Sequence, residues 1–172
     1  MRKLLFIVTL ASALFAAALA TPASAAPASG AHASATAAVS GKLLAGSGTL
    51  GQFGDPTVLA HALSSASGIQ GGFVITYPDG TYVAGSPACL FVSGNTAYLT
   101  GRIILSHGVR VQADNWSAGN YVVIGVQDNG AQVPDLLNFS PGFTSNPGCG
   151  PNGAATPGFP IARGNYRVFS LP

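Results

Sequence analysis

Two cysteines are the residues whose chemistry the sequence indicates most directly. Cys89 and Cys149 are the only cysteines in the 172-residue chain, and they do not form a metal-binding C-x-x-C spacing. If the chain is exported, such a pair predicts a disulfide, with two free thiols or an intermolecular bridge as the alternatives. The bond would attach the Pro/Gly-rich segment 140–160 to a strand face that carries Phe91 and Tyr98.

Histidine is the second candidate for chemistry, because a neutral imidazole can act as a general base. The chain contains three, His32, His61 and His107. A Ser-His-Asp site would need His61 or His107 beside an aspartate, and there is no G-x-S-x-G motif to fix such a site. No pair of aspartates stands in an identifiable apolar pocket either. The pattern therefore predicts no catalytic residue.

Three polar residues late in the chain could offer oxygen ligands to calcium, namely Asp128, Asn129 and Asp135. Their spacing does not match the EF-hand pattern, and D-N-G between two apolar runs is also a hairpin-turn sequence. We interpret these residues as a turn and its flanks, with an ion site as the alternative. On this interpretation the sequence predicts no metal site and no cofactor.

Aromatic side chains are the remaining candidates for binding, because they can stack on sugar rings or on a protein partner. The same residue types also form the core or the walls of β-barrels, so both interpretations stay open. The residues concerned are Tyr77, Tyr82, Tyr98, Tyr121, Tyr166 and Trp116.

A framework of strands must position these side chains, and the stretch 89–105 (CLFVSGNTAYLTGRIIL) defines it best. Two apolar runs flank Gly94-Asn95, which predicts a β-hairpin with a type II′ turn. The turn sets a register in which Leu90 lies opposite Leu99 on a buried face. Gly101, in the second strand, predicts a sharp bend or a β-bulge.

Short apolar stretches separated by Gly, Pro, Asn and Asp run through the rest of the chain. Segment 55–67 is ambiguous: Asp55 could cap a helix, but the alternation and the neighbouring strands favour a strand. Segment 140–160 has too much Pro and Gly for a regular element. Further strands are predicted at residues 40–50, 72–77, 81–84, 108–113, 121–127, 135–139 and 165–171.

Strands at this spacing, with no long helix between them, predict an all-β fold. We expect a single antiparallel β-sandwich or closed β-barrel of about 8–10 short strands. The residues expected to be largely buried in it are Phe73, Ile75, Leu90, Val92, Leu99, Ile103, Val122 and Ile124.

The N-terminal residues 1–25 have the pattern of a signal peptide. Arg2 and Lys3 precede an apolar run, and Ala23-Ser24-Ala25 offers small residues for cleavage. A retained membrane anchor is the alternative, since the run is nearly long enough to span a bilayer. Residues 26–38 fit a flexible leader, and residues 39–172 a single β domain. We therefore expect a secreted protein with no transmembrane segment after signal removal.

The charge balance argues against one class of partner. The chain carries 7 basic and 5 acidic residues, and cleavage would remove Arg2 and Lys3, which leaves a formal charge of zero. Nothing in the sequence resembles a basic stripe that could follow a phosphate backbone, so we expect no nucleic-acid partner.

The chain resembles a group of small secreted bacterial all-β domains that have no established activity. The resemblance spans residues 46–169 and rests on the pieces GGFVITYPDG, CLFVSGNTAYLTGRI, VIGVQDNGAQVPD and GNYRVF. In that group the second piece looks like a strand, a G-N turn and a strand, and the third like a strand and a D-N-G turn. The resemblance implies a β architecture and assigns no catalytic residue.

The functional expectation follows from what is present. A hydrolase needs a water-excluding pocket with a tuned base, and the domain offers two histidines without a recognisable partner. A rigid, disulfide-bonded β-scaffold with variable loops is sufficient for binding. We expect a secreted, non-catalytic module that binds an unidentified extracellular or cell-envelope partner. The alternatives are a small secreted hydrolase and a structural surface protein that self-assembles through poorly guarded sheet edges.

Overall fold

A computed structural model describes residues 41–171, and in this range the chain is a closed, antiparallel β-barrel of eight strands. Each strand pairs with the next along the chain, and the last pairs with the first. The prediction of an all-β fold is confirmed, and of the two predicted architectures the structure has the closed barrel and not the sandwich. The predicted signal peptide (1–25) and leader (26–38) lie outside the described residues.

The strands range from 4 to 13 residues, and the connections between them range from tight turns to the long segment 140–158. The strands are Gly41–Leu50 (β1), Thr57–Ser65 (β2), Gly68–Thr76 (β3), Tyr82–Ser93 (β4), Thr96–His107 (β5), Tyr121–Gln127 (β6), Leu136–Phe139 (β7) and Phe159–Leu171 (β8). One helical turn, Arg110–Ala113 (α1), joins β5 to β6, and a 3₁₀ turn, Gly153–Ala155, lies between β7 and β8.

The central hairpin has the predicted register. Leu90 pairs with Leu99, and the loop is closed by Ser93 and Thr96. Gly94 has a φ of 58°, whereas Asn95 is not among the residues with positive φ, and this combination is that of a type II′ turn. Side-chain alternation and turn chemistry are local properties, so they were sufficient to fix this pairing.

The prediction of a strand rather than a helix in segment 55–67 is confirmed, because the segment contains β2. The strand predicted at 108–113 is wrong, because residues Arg110–Ala113 form one helical turn. The chain reverses direction between β5 and β6, and Gly108, at φ 106°, starts that reversal. Strand β8 also begins earlier than predicted, at Phe159, inside the segment expected to be irregular.

Two large aromatic side chains fill the barrel where glycines face them. A Cβ at Gly46 or Gly48 would lie 2.8 Å from the Tyr166 ring. A Cβ at Gly101 would lie 2.3 Å from the Phe73 ring. A small closed barrel fills its interior by placing large side chains opposite glycines, which leave room for them. The sequence predicts a bend or β-bulge at Gly101. The irregularity is in the partner strand instead, because the register of β4 shifts between Pro87 and Cys89, opposite Gly101.

All eight residues expected in the core are buried, and Leu99 is completely so. We expect Leu99→Ala to lower the free energy of unfolding by about 3 kcal/mol, because it leaves a cavity among well-packed neighbours. Denaturant unfolding measures the loss. Leu59→Ala is the matched control, since Leu59 is 46% exposed. Equal losses in the two variants would contradict the placement of Leu99.

The segment 140–158, here called the strap, crosses the outside of β5 and β6. The Cys89–Cys149 disulfide attaches it to β4, with a Cα–Cα distance of 5.6 Å. The hydroxyl of Thr100 also donates to the carbonyl of Gly148 (2.8 Å). Beneath the strap a second, small core forms from Tyr98, Val123 and Ala155, with Phe91 and Phe143 packed against it. The predicted disulfide and its placement on this face are confirmed.

Candidate functional site

The two histidines of the barrel lie apart from the carboxylates. His61 is exposed on β2, and His107 lies at the end of β5, with its ring 5.6 Å from that of Tyr82. Within residues 41–171 neither forms an ion pair, and the single ion pair there joins Arg110 to Asp79. The described residues therefore contain no Ser-His-Asp arrangement around either imidazole.

Asp128 and Asp135 bind backbone amides. Oδ1 of Asp135 accepts from the amide of Asn129 (2.9 Å), and Oδ2 accepts from that of Tyr166 (2.6 Å). Oδ1 of Asp128 accepts from Gly130 (2.9 Å), and Oδ2 accepts from Val168 (3.2 Å). Strands β7 and β8 share only two residue pairs. The two carboxylates therefore satisfy β8 amides for which β7 is too short.

We expect millimolar calcium to leave the melting temperature unchanged. All four carboxylate oxygens of Asp128 and Asp135 already accept a backbone amide. Within the described residues no group of three or more His, Cys, Asp or Glu side chains is placed to hold a metal. Thermal unfolding with and without calcium checks this. A rise of several degrees that Asp128→Ala abolishes would show the opposite.

The six aromatic candidates have different positions. Tyr166 lies inside the barrel and donates its hydroxyl to the carbonyl of Val58 (2.7 Å), and burial raises its pKa well above the ordinary value. Tyr98 lies beneath the strap, and Tyr121 pairs with Phe143 at its edge. Tyr77 and Trp116 line a cavity. The core interpretation thus holds for Tyr166, and the last two residues belong both to the core and to the lining of a cavity.

That cavity, here called the barrel-end cavity, has a volume of about 420 Å³ and opens where the odd-numbered strands end. A volume of this size lies within the range of small-molecule sites. Four aromatic rings and several polar groups surround it. The lining residues are Leu50, Phe53, Tyr77, Arg110, Asp114, Trp116, Asn138, Phe139, Ser140 and Pro141.

Trp116 forms the floor of the cavity and is 2% exposed. Its amide donates to the carbonyl of Val111 (2.8 Å), and its Nε1 donates to that of Ser140 (3.4 Å). The ring lies 5.9 Å from both the Tyr77 and the Phe139 rings. The connection after β5 thus folds back and closes this end of the barrel with an indole ring.

Arg110, on α1, supplies the positive charge at the cavity. Its Nε donates to Oδ2 of Asp79 (2.7 Å), and its guanidinium lies 4.3 Å from the centroid of the Tyr77 ring. Hydrogen bonds from the Thr81 amide and then from Arg110 hold the pKa of Asp79 below its ordinary value. Asp79 in turn raises the pKa of Arg110. The ion pair uses one guanidinium nitrogen and leaves the two terminal ones for another partner.

Tyr77 is a neutral phenol at this site. Burial, and next the nearby charge of Asp114, raise its pKa to about 12, so its hydroxyl stays protonated at neutral pH. Within the described residues, the carboxylate of Asp79 accepts two hydrogen bonds, whereas neither the Tyr77 hydroxyl nor the Asp114 carboxylate has a hydrogen-bond partner. Both groups can therefore serve a ligand.

The β1–β2 loop beside the cavity has an unusual backbone. Phe53, Gly54 and Asp55 have consecutive positive φ angles of 61°, 84° and 55°. A bulky residue such as Phe rarely adopts this conformation, and strain of this kind clusters at ligand sites. The Phe53 side chain is 56% exposed, although its ring contacts that of Phe159 edge-on at 4.8 Å. The loop thus presents an aromatic ring at the cavity.

The sequence patterns indicated Tyr77 and Trp116 but missed the other groups of the cavity. Phe53 lies in a loop between strands, and Arg110 lies where a strand was predicted. The GQFGDP stretch, with two glycines around an exposed aromatic residue, was the available signal for the loop. No local pattern pairs Arg110 with Asp79, which precedes it by 31 residues.

The comparisons with known proteins add no assignment. The chain matches no protein-family model, and neither the curated proteins nor the solved structures yielded a match. The resemblance to small secreted bacterial β-domains therefore stays an expectation from the sequence. What the site can do has to be argued from its own geometry.

A second apolar surface lies on the outside of β2–β5, around a shallow cavity of about 360 Å³. Leu59, Ile104 and Leu105 are 46%, 63% and 53% exposed there. His61 lies among these residues, and the lining contains no carboxylate or guanidinium. The imidazole is thus in apolar surroundings, away from any group that would orient it as a base.

In the part of the chain that the structure describes, no helix has the length and apolar character needed to cross a membrane.

Proposed function

We propose that the protein is a secreted, non-catalytic module that binds an extracellular or cell-envelope partner through its barrel-end cavity. The observation that carries the proposal is the cavity itself, about 420 Å³, with aromatic walls and with two polar groups, the Tyr77 hydroxyl and the Asp114 carboxylate, that have no hydrogen-bond partner among the described residues. A concave, largely apolar site with a few convergent polar groups is the usual form of a ligand site. Export agrees with the Cys89–Cys149 disulfide, because such bonds persist in oxidising compartments.

The positions of the histidines favour binding over hydrolysis. A general base must lie within hydrogen-bond reach of the group it activates and needs an orienting partner. Neither His61 nor His107 lines the barrel-end cavity, and its charged groups are Arg110 and Asp114. The cavity therefore has groups that can hold a ligand and no histidine to activate water.

The alternative of self-assembly through sheet edges has less support than binding. That hypothesis requires strand edges with unpaired backbone groups and few charged side chains to prevent association. Each of the eight strands has two neighbours in the closed barrel. Closure leaves few strand edges, so most of the backbone groups that would template association are paired, although β7 and β8 share only two residue pairs.

Retention on cell material tests the proposal. Full-length protein is incubated with whole cell envelope and with insoluble cell-wall polysaccharide, beside Phe53→Ala and Phe169→Ala. Phe53 lines the cavity, whereas Phe169, 45% exposed on β8, does not. We expect the wild type and Phe169→Ala to be retained and Phe53→Ala to be released at lower salt or in earlier washes.

Two results would overturn the binding proposal. One is the absence of retention on any of these materials. The other is turnover of an ester or glycan panel that His61→Ala or His107→Ala abolishes, since this would show catalysis at a histidine.

A further inference from the structure

We infer that the barrel-end cavity takes a neutral sugar ring, as part of an uncharged glycan. This inference rests on the proposed function and names the chemistry of its ligand. Three features carry it: the aromatic walls, the balance of charges around the cavity, and the strained loop that presents Phe53.

The aromatic walls match the apolar face of a sugar. Pyranose rings expose C–H groups on one face and hydroxyls around the edge, and aromatic faces stack on the first while polar groups bind the second. Phe53, Tyr77, Trp116 and Phe139 all line the cavity. Trp116 and Tyr77 are almost fully buried, whereas Phe53 is 56% exposed. The Phe53 ring is therefore the accessible stacking surface, and the other rings shape the floor.

The charges around the cavity favour an uncharged ligand. The lining contains one basic group, Arg110, and one acidic group, Asp114, so it carries no net charge. Asp114 would repel an anion, and a cation would meet Arg110, whose guanidinium already occupies the face of Tyr77 at 4.3 Å. A hydroxyl both donates and accepts. It can therefore donate to Asp114 and accept from the terminal nitrogens of Arg110.

The positions of these polar groups are fixed before a ligand binds. Asp79 holds Arg110 through Nε at 2.7 Å, which orients the guanidinium plane. The backbone of Asp114 is held from two sides, since its amide donates to the Arg110 carbonyl (2.9 Å) and its carbonyl accepts from Gly142 (2.7 Å). A preorganised site loses less conformational entropy when a ligand binds.

The strained loop is consistent with a ring-stacking role for Phe53. A Cβ at Gly54 would lie 2.9 Å from Nη2 of Arg110, so the loop passes directly over the guanidinium. Phe53, at φ 61°, keeps a large apolar side chain exposed at the opening. A smaller polar residue would adopt this backbone more readily, and the packing on Phe159 still leaves the Phe53 side chain 56% exposed. A contact with a ligand explains why an aromatic residue occupies this position.

The only tryptophan of the chain gives a direct test, because Trp116 lies in the cavity floor. Full-length protein is titrated with neutral hexasaccharides (cellohexaose, the fully N-acetylated chitohexaose, maltohexaose) while Trp116 emission is recorded. Glucosamine hexamer and oligogalacturonate serve as the cationic and anionic probes. We expect at least one neutral hexasaccharide to change the emission saturably, and to bind at least tenfold more tightly than either charged probe.

Variants locate the binding. Phe53→Ala and Asp114→Ala should each weaken the neutral hexasaccharide about tenfold, the first by removing a stacking face and the second a charged hydrogen-bond acceptor. Phe169→Ala and Leu105→Ala are the controls, because both side chains are exposed and lie outside the lining. Circular dichroism verifies that each variant is folded. Equal weakening in the controls would overturn the assignment to this cavity.

The outcomes separate this inference from the proposed function. If no neutral hexasaccharide binds, or a charged probe binds more tightly, the sugar inference is wrong. If in that case the envelope still retains the protein and Phe53→Ala is released, the binding function stands with another ligand. If neither the hexasaccharides nor the envelope binds, both fail.

Discussion

Replacing Cys89 and Cys149 by serine is expected to lower the free energy of unfolding by about 4 kcal/mol. The bond closes a loop across a sequence separation of 60 residues, and in the chain-entropy model a cross-link of this span restricts the unfolded chain by that amount. The native barrel should keep its strands, because β4 and β5 pair on both sides of Cys89. Urea unfolding of the double variant measures the loss.

The strap should respond locally as well. Without the disulfide, several contacts still hold the strap on this face, among them the Thr100–Gly148 hydrogen bond, the Tyr121–Phe143 bridge and the packing of Ala155 on Tyr98. We expect faster proteolysis within residues 140–158 of the variant and unchanged far-ultraviolet circular dichroism. Ser145→Ala, an exposed change in the same segment, is the control. Two free thiols in native wild-type protein, found by titration or non-reducing peptide mapping, would rule the bond out.

Asp135→Ala is expected to cost about 4 kcal/mol, because the substitution leaves two amide donors without their charged acceptor. Asp135 is 2% exposed, and its carboxylate accepts from Asn129 and Tyr166. The Tyr166 amide lies beyond Leu136, the first residue of β7, so no residue of that strand can replace the carboxylate. Equilibrium unfolding gives the magnitude, and amide hydrogen exchange should show faster exchange at Tyr166.

The matched control for that loss is Asp114→Ala. Asp114 is partly exposed, and its backbone is not in a positive-φ conformation, so alanine is tolerated there. We expect a change within about 0.5 kcal/mol, as for most surface substitutions. A loss at Asp135 no larger than this would mean that water satisfies the two amides as well as the carboxylate does.

Asp128 and Asp135 also show that a turn motif indicates only part of what its residues do. The D-N-G sequence predicted a turn, and Asp128 does accept from the amide of Gly130 two residues later. The second oxygen of each aspartate accepts from β8, 40 residues after Asp128 and 31 after Asp135. A pattern of neighbouring residues can indicate the first bond only.

The sequence by itself determined the local pairing and the covalent link. Alternation with a period of two and the Gly94-Asn95 turn set the hairpin register, and the chain has only one possible pair of cysteines. Both are properties of residues close in the chain or unique in it. The all-β class followed from the same alternation repeated at short intervals.

Only the tertiary structure decided the closure of the barrel and the content of its open end. Closure brings Tyr166 to the carbonyl of Val58, across 108 residues, and Gly46 and Gly48 make room for its ring. The cavity likewise collects Phe53 from the β1–β2 loop and Arg110 and Trp116 from the connection between β5 and β6. Such contacts depend on how distant strands pack, and no local period encodes them. For that reason the residues proposed to bind a ligand could be identified only in the folded structure, whereas the strands that position them could be predicted from the sequence.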